Sequence, residues 1–299
     1  MLSKKYFLIG AFFGLILLIV YIISQPDGKL HVVFCDVGQG DSAYLKMPNG
    51  ADVLIDGGPN DKVLSCLGNQ MPFYDRTIDI VILSHPQKDH LQGLISVLER
   101  YSVKYFVIGP IANDSEGYRR LVKLIGNKKI PYRNLYSGDF FMVGKVKFKI
   151  LWPERKWVAE RIQNSEFGFQ EGKAVLGIST DEDLNDFSQF IHLSYADFDA
   201  LFTGDGDGRI QDDVMTGTEL PDVEVLKFPH HGSKTGILPE FLDKIKPEVA
   251  VISSGKNPWG HPTKEALKLL LDRKINILRT DQIGEIELVS DGISWKEVY

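Results

Sequence analysis

The chain has 299 residues, of which 43% are hydrophobic and 25% are charged, and its formal net charge is -6. This composition is typical of a globular protein, and it excludes a low-complexity or disordered chain. The negative charge argues against a protein whose main task is to coat nucleic acid. An enzyme that meets a phosphodiester through a bound metal ion is not excluded, because the ion itself supplies positive charge.

The first predicted element is an apolar segment at residues 6–23 that contains no charged residue. A helix of this length spans about 27 Å, close to the thickness of the hydrocarbon core of a bilayer. Lys4 and Lys5 precede it, so the positive-inside rule predicts a cytoplasmic N-terminus and an extracytoplasmic domain. A cleaved signal peptide is the alternative, but the segment lacks a small-x-small cleavage pattern. We therefore expect a single-pass membrane anchor and linker at residues 1–28 and one folded domain at residues 29–299.

Strand patterns dominate the first half of this domain. Runs of β-branched and aromatic residues predict strands at 30–36, 42–47, 51–56 and 78–83. Helical spacing of apolar residues follows at 91–100. The remaining elements of this half are a strand at 105–109, a helix around 118–125 and a strand at 145–151.

The second half repeats the same alternation of strands and helices along the chain. Its predicted elements are a hairpin at 189–195 and 198–203, a strand at 223–228, a helix at 239–245, a strand at 249–253, a helix at 264–273 and closing strands at 275–279 and 285–289. Two sheets, each backed by helices, give a four-layer αββα sandwich of the α/β (α+β) class if the halves stack.

Two features of the domain leave alternatives open. The stretch at 153–187 is long and without a clear period; with Trp157, Phe167 and Phe169 it either shapes substrate access or packs as an exposed loop.

Cys35 lies in an apolar run and is expected to be a buried thiol. A Cys35–Cys66 disulfide is the alternative if the domain is extracytoplasmic.

The first histidine cluster, His85-Pro-Gln-Lys-Asp89-His90, comes directly after the predicted strand at 78–83. Reactive groups of α/β sheets collect beyond the carboxyl ends of strands. Two imidazoles and a carboxylate within six residues can converge on one or two cations, and this ligand set suits Zn²⁺, Mn²⁺ or Fe²⁺. A surface loop with two histidines is the alternative.

Two more loops carry groups of the same kind. A glycine turn after a strand delivers Asp205 as a bridging metal ligand, with Asp207 either supporting the ligands or solvated. His230 and His231 follow another strand. One of them can ligate a metal while the other meets the substrate, and their spacing does not distinguish the two.

The other three histidines have weaker signals. His261 precedes a helix for which Thr263 is a plausible N-cap, and it either touches substrate as an acid or is a surface histidine. His31 and His192 lie within strand patterns, where a structural or exposed role is the better interpretation.

Seven motifs occur along the chain in a fixed order: Asp36-Val-Gly-Gln-Gly-Asp41-Ser42, Leu54-Ile-Asp56-Gly-Gly, Ser84-His-Pro-Gln-Lys-Asp-His90-Leu-Gln-Gly-Leu94, Leu201-Phe-Thr-Gly-Asp205, Leu226-Lys-Phe-Pro-His-His-Gly-Ser233, Gly260-His-Pro262 and Arg279-Thr-Asp-Gln282. This order resembles the metallo-β-lactamase domain of the ComEC-type competence proteins. The resemblance implies the αββα fold, a centre of one or two divalent ions, and a hydrolase that acts on DNA outside the cytoplasm during uptake. The single apolar segment, in place of the multi-helix channel part of such proteins, predicts a stand-alone, membrane-anchored relative. A choline-phosphoesterase group of the same fold has similar motifs.

The sequence departs from this resemblance in its metal loop. The third place of the loop, which is His or Asp in the relatives, is Gln87. An amide oxygen is a weak, neutral ligand. A further histidine expected before the bridging aspartate is not evident, and Asn185 and Ser188 occupy that run. The site on the His85 side therefore looks weaker than the other one.

These considerations give a specific set of expected roles. The predicted metal ligands are His85, Asp89, His90, Asp205 and His231, with His230 as the alternative to His231. The predicted catalytic residues are Asp89, His230 and His261, and the predicted supporting residues are Asp36, Asp41, Ser42, Asp56, Gln87 and Lys227. The predicted cofactor is one or two Zn²⁺ or Mn²⁺ ions, and the predicted partners are a phosphodiester, single-stranded DNA among them, and a membrane through residues 6–23. A metallohydrolase of a small or cell-wall-linked ester and a binding protein with a degenerate site remain the rival interpretations.

Overall fold

The computed structural model describes residues 6–15, 25–162 and 180–298. Within these ranges the strands are β1 Leu30–Phe34, β2 Ala43–Lys46, β3 Asp52–Ile55, β4 Thr77–Leu83, β5 Ser102–Ile108, β6 Tyr132–Asn134, β7 Phe140–Val143, β8 Val146–Trp152, β9 Phe190–Tyr195, β10 Phe198–Phe202, β11 Val225–Lys227, β12 Val249–Ile252, β13 Asn276–Arg279, β14 Ile286–Ser290 and β15 Trp295–Val298.

The helices are α1, described at residues 6–15, α2 Val63–Gln70, α3 Lys88–Arg100, α4 Glu116–Asn127, α5 Arg155–Ile162, α6 Gly208–Gly217, α7 Pro239–Ile245, α8 Lys264–Asp272 and α9 Thr280–Ile283. Short 3₁₀ turns are found at Leu184–Phe187 and Pro229–Gly232.

Two sheets form the centre of the domain. In the described part of the chain, one sheet has eight strands in the order β15-β14-β1-β2-β3-β4-β5-β6, and the other has seven in the order β13-β12-β11-β10-β9-β8-β7. Apolar side chains such as Phe34, Ile82, Phe148 and Phe202 form a core between the sheets. A second core lies between the first sheet and α2, α3 and α4, and a third between the second sheet and α6, α7 and α8. The predicted four-layer αββα sandwich is therefore confirmed.

Parallel strands bring the functional loops to one edge of the sandwich. Strands β3, β4 and β5 pair in parallel, as do β10, β11 and β12. Because parallel strands end at the same edge of a sheet, the loops that follow β3, β4, β10, β11 and β12 lie side by side. These loops begin at Asp56, Ser84, Thr203, Phe228 and Ser253.

Several elements were not predicted from the sequence: α2, β6, β7, α5, α6, α9 and β15. Helix α2 illustrates the reason. Only Val63, Cys66 and Leu67 of its residues are buried, and the rest include Ser, Gly and Asn. These residues favour turns over helices, so packing against the first sheet decides the structure. Helix α3 begins at Lys88, three residues before the predicted start.

Cys35 and Cys66 form a disulfide. The expectation that Cys35 is a free buried thiol is therefore wrong. The bridge joins the end of β1 to α2 across a separation of 31 residues. It could not be read from spacing, because the pairing depends on how α2 packs beside β1.

Two predictions concern the N-terminus and the long insertion. Among the ranges 6–15, 25–162 and 180–298, no helix is long and apolar enough to cross a bilayer. Residues 16–23 of the predicted span lie outside the described residues, as do Phe167 and Phe169 of the insertion. Elsewhere in the insertion the indole of Trp157 packs against Phe187, with ring centroids 5.0 Å apart.

Candidate metal centre

Four side chains from both halves of the sandwich converge at the edge where the strands end. Asp89 and His90 lie in the first turn of α3, Asp205 follows β10, and His231 follows β11. One potential ligand atom of each lies within 4.8 Å of the others. The two oxygens of Asp205 divide between the histidines: Oδ1 lies 3.3 Å from Nε2 of His90, and Oδ2 lies 3.3 Å from Nε2 of His231. Oδ2 of Asp89 is also 3.3 Å from Nε2 of His231.

The other ring nitrogen of each histidine is held by an acceptor. Nδ1 of His90 donates to Oδ2 of Asp56 at 2.8 Å, and Nδ1 of His231 donates to the carbonyl oxygen of Ser253 at 3.0 Å. These bonds keep a proton on Nδ1 of each ring, so Nε2 is the nitrogen that faces the carboxylates and that a cation would bind in place of a proton. This is the arrangement that fixes the tautomer of a metal-ligating histidine.

The buried polar atoms of this cluster fit a cation. Nε2 of His90 and Oδ1 of Asp205 are both buried without a hydrogen-bond partner among the described residues. An unpaired buried donor or acceptor is destabilising, and a divalent ion between the two would satisfy both atoms. Two imidazoles and two carboxylates form a ligand set that suits Zn²⁺ or Mn²⁺.

His85 lies beside this group but does not join it. Its ring centroid is 4.1 Å from that of His90, and Nε2 is buried without a hydrogen-bond partner in the described structure. The hydroxyl of Ser84 donates to Asp56 at 2.7 Å and accepts from Nδ1 of His85 at 3.1 Å. This leaves Nε2 of His85 as a free lone pair. Burial and the neighbouring His90 lower the pKa of His85 to about 3, so its imidazole is neutral and able to ligate.

Charge within the cluster is strongly coupled. Burial opposes a charged imidazole, but the carboxylates of Asp205 and Asp56 outweigh it and hold the pKa of His90 well above its usual value. The pKa of His231 is raised in the same way, against burial, by Asp205 and Asp41. Burial raises the pKa of the Asp205 carboxyl, but the two histidines reverse this and hold it well below its usual range. The cluster is therefore a place where positive charge is strongly favoured.

Asp41 and Lys227 form a buried ion pair behind the cluster. Oδ1 of Asp41 lies 3.2 Å from Nδ1 of His231, and its backbone N–H donates to the carbonyl oxygen of Asp89 at 3.2 Å. Ser42 donates to the backbone oxygen of Asp56 at 3.1 Å. These contacts hold Asp41, Ser42 and Lys227 against the loops that carry the clustered residues.

Two of the predicted supporting residues have other surroundings. The carboxylate of Asp36 is exposed; it accepts from the N–H of Gly38 and lies 4.0 Å from the ammonium of Lys62. Gln87 is half-buried at the N-terminus of α3, where its backbone oxygen accepts from the N–H groups of His90 and Leu91. The side chain of Asp207 is buried and caps α6 by accepting from the N–H of Arg209.

An unusual turn separates the roles of the adjacent histidines. His230 and His231 have φ of 49° and 54°, in the left-handed region that non-glycine residues rarely adopt. Gly232 follows with φ of 85°, where an added Cβ would lie 2.4 Å from Cβ of Pro262. The turn places His231 in the cluster and leaves His230 half-buried outside it. Sequence spacing could not distinguish the two, because the distinction arises from the backbone conformation.

His261 lies on the outer side of His230. The centroids of these two rings are 5.8 Å apart, and Nδ1 of each is buried without a hydrogen-bond partner among the residues described. Thr263 accepts from the N–H of Ala266, so the predicted N-cap of α8 is confirmed. His31 and His192 lie in strands away from this edge, beside Glu287 and Asp199 respectively.

Three serines with no role predicted from the sequence support the cluster: Ser84, Ser188 and Ser253. Ser84 bridges Asp56 to His85, Ser253 accepts from His231, and Oγ of Ser188 accepts from the N–H of Asp205 at 3.2 Å. Ser84 and Ser253 directly follow the strands β4 and β12, and this position at a strand end was the available signal.

This arrangement defines a protein of the metallo-β-lactamase fold with a candidate divalent-metal site. Over 88% of this chain the structure matches all of the metallo-β-lactamase fold protein YhfI from Bacillus subtilis, with a TM-score of 0.51 and 12% identity. It also matches 54% of CmlA, a diiron β-hydroxylase from Streptomyces venezuelae, with a TM-score of 0.53 and 11% identity over 89% of this chain. At these identities the likeness establishes the fold.

Homologues of the chain are ComEC-type competence proteins, as its motifs predicted. ComE operon protein 3 of Bacillus subtilis is 26% identical over 289 residues, and Recombination protein 2 of Haemophilus influenzae is 27% identical over 286 residues. These alignments cover 91% and 92% of this chain but only 34% and 31% of the relatives, so the chain spans about a third of their length. No family model matches the chain. The fold, the homologues and the histidine–aspartate cluster together support a metal-dependent hydrolase.

Proposed function

We propose that this protein is an extracytoplasmic, membrane-anchored phosphodiesterase that cleaves DNA with Zn²⁺ or Mn²⁺. The main support is the convergence of Asp89, His90, Asp205 and His231 within 4.8 Å, with the outer nitrogens of both imidazoles tied to acceptors. Homology to competence proteins favours DNA as the substrate.

The four clustered residues would hold one ion, and His85 with Asp205 would border a second, weaker position. Neither Gln87 nor Ser188 offers the imidazole or carboxylate that a strong second site needs. When bound, the ion supplies Lewis-acid polarisation of the scissile phosphate and activation of water. One strong site and one weak site therefore describe this centre.

The chain's own contribution to bond cleavage lies in proton handling and orientation. Asp89 is the cluster member with an exposed edge, so it can both ligate and orient the attacking water. His230 and His261 lie just outside the cluster, and Nδ1 of each has no hydrogen-bond partner in the described part of the chain. Either imidazole can donate a proton to the leaving oxygen of the phosphodiester.

Two observations favour a location outside the cytoplasm. The Cys35–Cys66 disulfide suits an oxidising compartment. Large apolar side chains of α1, among them Phe7, Leu8 and Phe12, are exposed, which is the surface expected of a helix that contacts lipid. A periplasm-dependent reporter enzyme fused to the C-terminus should be active, and a cytoplasm-dependent reporter should be silent. The opposite readout would overturn the topology.

The hydrolase itself is tested with the intact chain, single-stranded DNA and bis(p-nitrophenyl) phosphate, each with Mn²⁺ or Zn²⁺. His231→Ala should abolish cleavage and lower the bound metal, whereas the matched strand variant His192→Ala should leave both unchanged. Turnover of a choline phosphoester without DNA cleavage would replace the proposal with a cell-wall esterase. Absence of retained metal and of all turnover would indicate a binding protein.

A further inference from the structure

A braced loop carries an exposed tryptophan at the mouth of the candidate metal centre. The side chain of Asn257 holds the loop at residues 255–261 through four hydrogen bonds. Its Nδ2 donates to the carbonyl oxygens of Gly255 and His261 at 2.8 and 2.7 Å, and its Oδ1 accepts from the N–H groups of Trp259 and His261 at 3.1 and 3.0 Å. The loop conformation is therefore fixed without help from the Trp259 side chain.

The loop is also attached to the site at both ends. The N–H of Gly255 donates to Oε1 of Gln39 at 3.2 Å, next to the loop that carries Asp41. At the other end, the N–H of Thr263 donates to the carbonyl oxygen of Gly232 at 2.9 Å, directly after His231. The position of the loop relative to the ligands is thus set by the same segments that position the ligands.

Aromatic rings lead outward from the metal ligand to Trp259. Ring centroids are separated by 6.3 Å between His231 and His230, by 5.8 Å between His230 and His261, and by 6.4 Å between His261 and Trp259. The indole at the end of this row is 66% exposed. A large apolar ring held in solvent on a rigid loop beside a reactive centre is suited to stacking on a flat ligand group.

Exposed positive charge accompanies the site residues along the chain, although the whole chain is acidic. Lys88, Lys234, Lys256 and Lys264 lie next to site residues in the chain, and all four are exposed. Among the described residues these four lysines form no ion pair, so a neighbouring carboxylate does not neutralise their charge. Unpaired lysines close to the site residues in the chain favour a ligand with several negative charges over a cationic headgroup such as choline.

We propose that Trp259 stacks on a nucleobase of single-stranded DNA next to the scissile phosphate, while the surrounding lysines contact neighbouring phosphates. This inference rests on the proposed function and specifies its substrate as a polynucleotide. Stacking of a base on an aromatic side chain stabilises single-strand binding in a way that tolerates any sequence, because every base has a flat face.

The test compares two strands of equal charge. Fluorescence anisotropy with the intact protein, in chelator so that no strand is cut, measures the affinity for an oligothymidylate and for an abasic strand of the same length. Trp259→Ala should weaken oligothymidylate binding about 5- to 150-fold, which corresponds to the range for one stacked base, and should leave abasic-strand binding unchanged. Trp259→Phe should restore part of the loss.

Phe73→Ala is the matched control, since this aromatic ring is 85% exposed on the loop before the amino end of β4. It should bind both strands as the wild type does. Lys256→Gln should reduce the slope of log affinity against log salt by about 0.7 for each strand, as expected for one phosphate contact.

The outcomes separate this inference from the proposed function. Equal affinity of Trp259→Ala and wild type for oligothymidylate, or an equal loss for both strands, would overturn the stacking role even if the protein cleaves DNA. Competition by choline phosphate at Trp259 would assign the ring to a small cationic ligand instead. If binding through Trp259 depends on the bases but no DNA is cleaved in Mn²⁺ or Zn²⁺, the stacking role is supported and the proposed hydrolase activity is contradicted.

Discussion

Nδ1 of His90 donates to Oδ2 of Asp56 over 2.8 Å, and both side chains are buried. Asp56 also accepts from the backbone N–H and the hydroxyl of Ser84, at 2.8 and 2.7 Å. One carboxylate therefore orients His90 directly and His85 through Ser84. The backbone of Asp56 has φ of 58°, a conformation that this network of bonds maintains.

Asp56→Asn should lower the affinity for Mn²⁺ or Zn²⁺ about 10- to 100-fold, the usual effect of losing a partner that orients a metal-ligating histidine. An amide has a single acceptor oxygen, so it cannot accept from the backbone N–H of Ser84 on one side and from His90 and the Ser84 hydroxyl on the other, as the carboxylate does. Titration against a chelating dye measures the change. Asp36→Asn, in the exposed turn after β1, is the control and should bind metal normally. An affinity within twofold of wild type for Asp56→Asn would contradict this role.

Replacement of Cys35 and Cys66 by Ser should lower the free energy of unfolding by about 3–4 kcal/mol, as chain entropy predicts for a loop of 31 residues. Urea unfolding of the variant measures the change, and the wild type with a reducing agent should match the variant. The closed loop contains Asp41 and Asp56, so metal affinity should also fall. If reduction leaves the unfolding midpoint unchanged, the bridge does not stabilise the domain.

The third prediction concerns pH and His31, whose ring contacts Glu287 at 2.7 Å and Asp27 at 3.0 Å. The hydrogen bond to Glu287, against partial burial, raises the pKa of His31 above its usual 6.5. The stabilisation is therefore complete below about pH 6.5 and disappears as pH rises through the pKa of the folded state. We expect a loss of about 0.5–1 kcal/mol, reduced because the pair is partly exposed to solvent.

Thermal unfolding of the wild type and His31→Gln between pH 5.5 and pH 9 measures this effect. The difference in stability between the two proteins should be largest at the acid end and should shrink with rising pH. His192→Gln serves as a comparison from the other sheet. A difference that grows as pH rises would mean that His31 is bound as the neutral ring.

His230→Gly should raise the free energy of unfolding by about 1 kcal/mol while it lowers DNA cleavage. A left-handed backbone costs an L-residue about 1–2 kcal/mol, and glycine adopts it freely. Differential scanning calorimetry and the cleavage assay measure the two effects on one variant. His230→Ala, which keeps the strain and loses the imidazole, is the control and should lose activity without gaining stability. A lower melting temperature for His230→Gly would show that ring contacts outweigh the strain.

Much of the fold followed from the sequence because its strands are strongly patterned. The apolar run at Val81–Leu83 and the abrupt change at Ser84 located the strand end that carries His85. The prediction of a weaker site beside Gln87 came from its departure from the loop pattern and stays a prediction. The features that could not be predicted depend on three-dimensional contacts. The disulfide of Cys35 is one of them, because it forms only when α2 packs beside β1.

The candidate site shows the same division. Residue types alone predicted His90 and Asp205 as ligands, because few other combinations of imidazole and carboxylate follow strand ends, and the structure places both in the four-residue cluster. The choice between His230 and His231 required the left-handed turn. The exposure of Asp36 could not be seen in a motif that also contains the buried Asp41.

The ligands are divided between the two halves of the sandwich, with Asp89 and His90 supplied by one and Asp205 and His231 by the other. Neither half alone holds all four of these residues. The four-residue cluster therefore forms only once the two sheets have stacked. Under the proposed function, an incompletely folded copy would lack the centre that cleaves DNA.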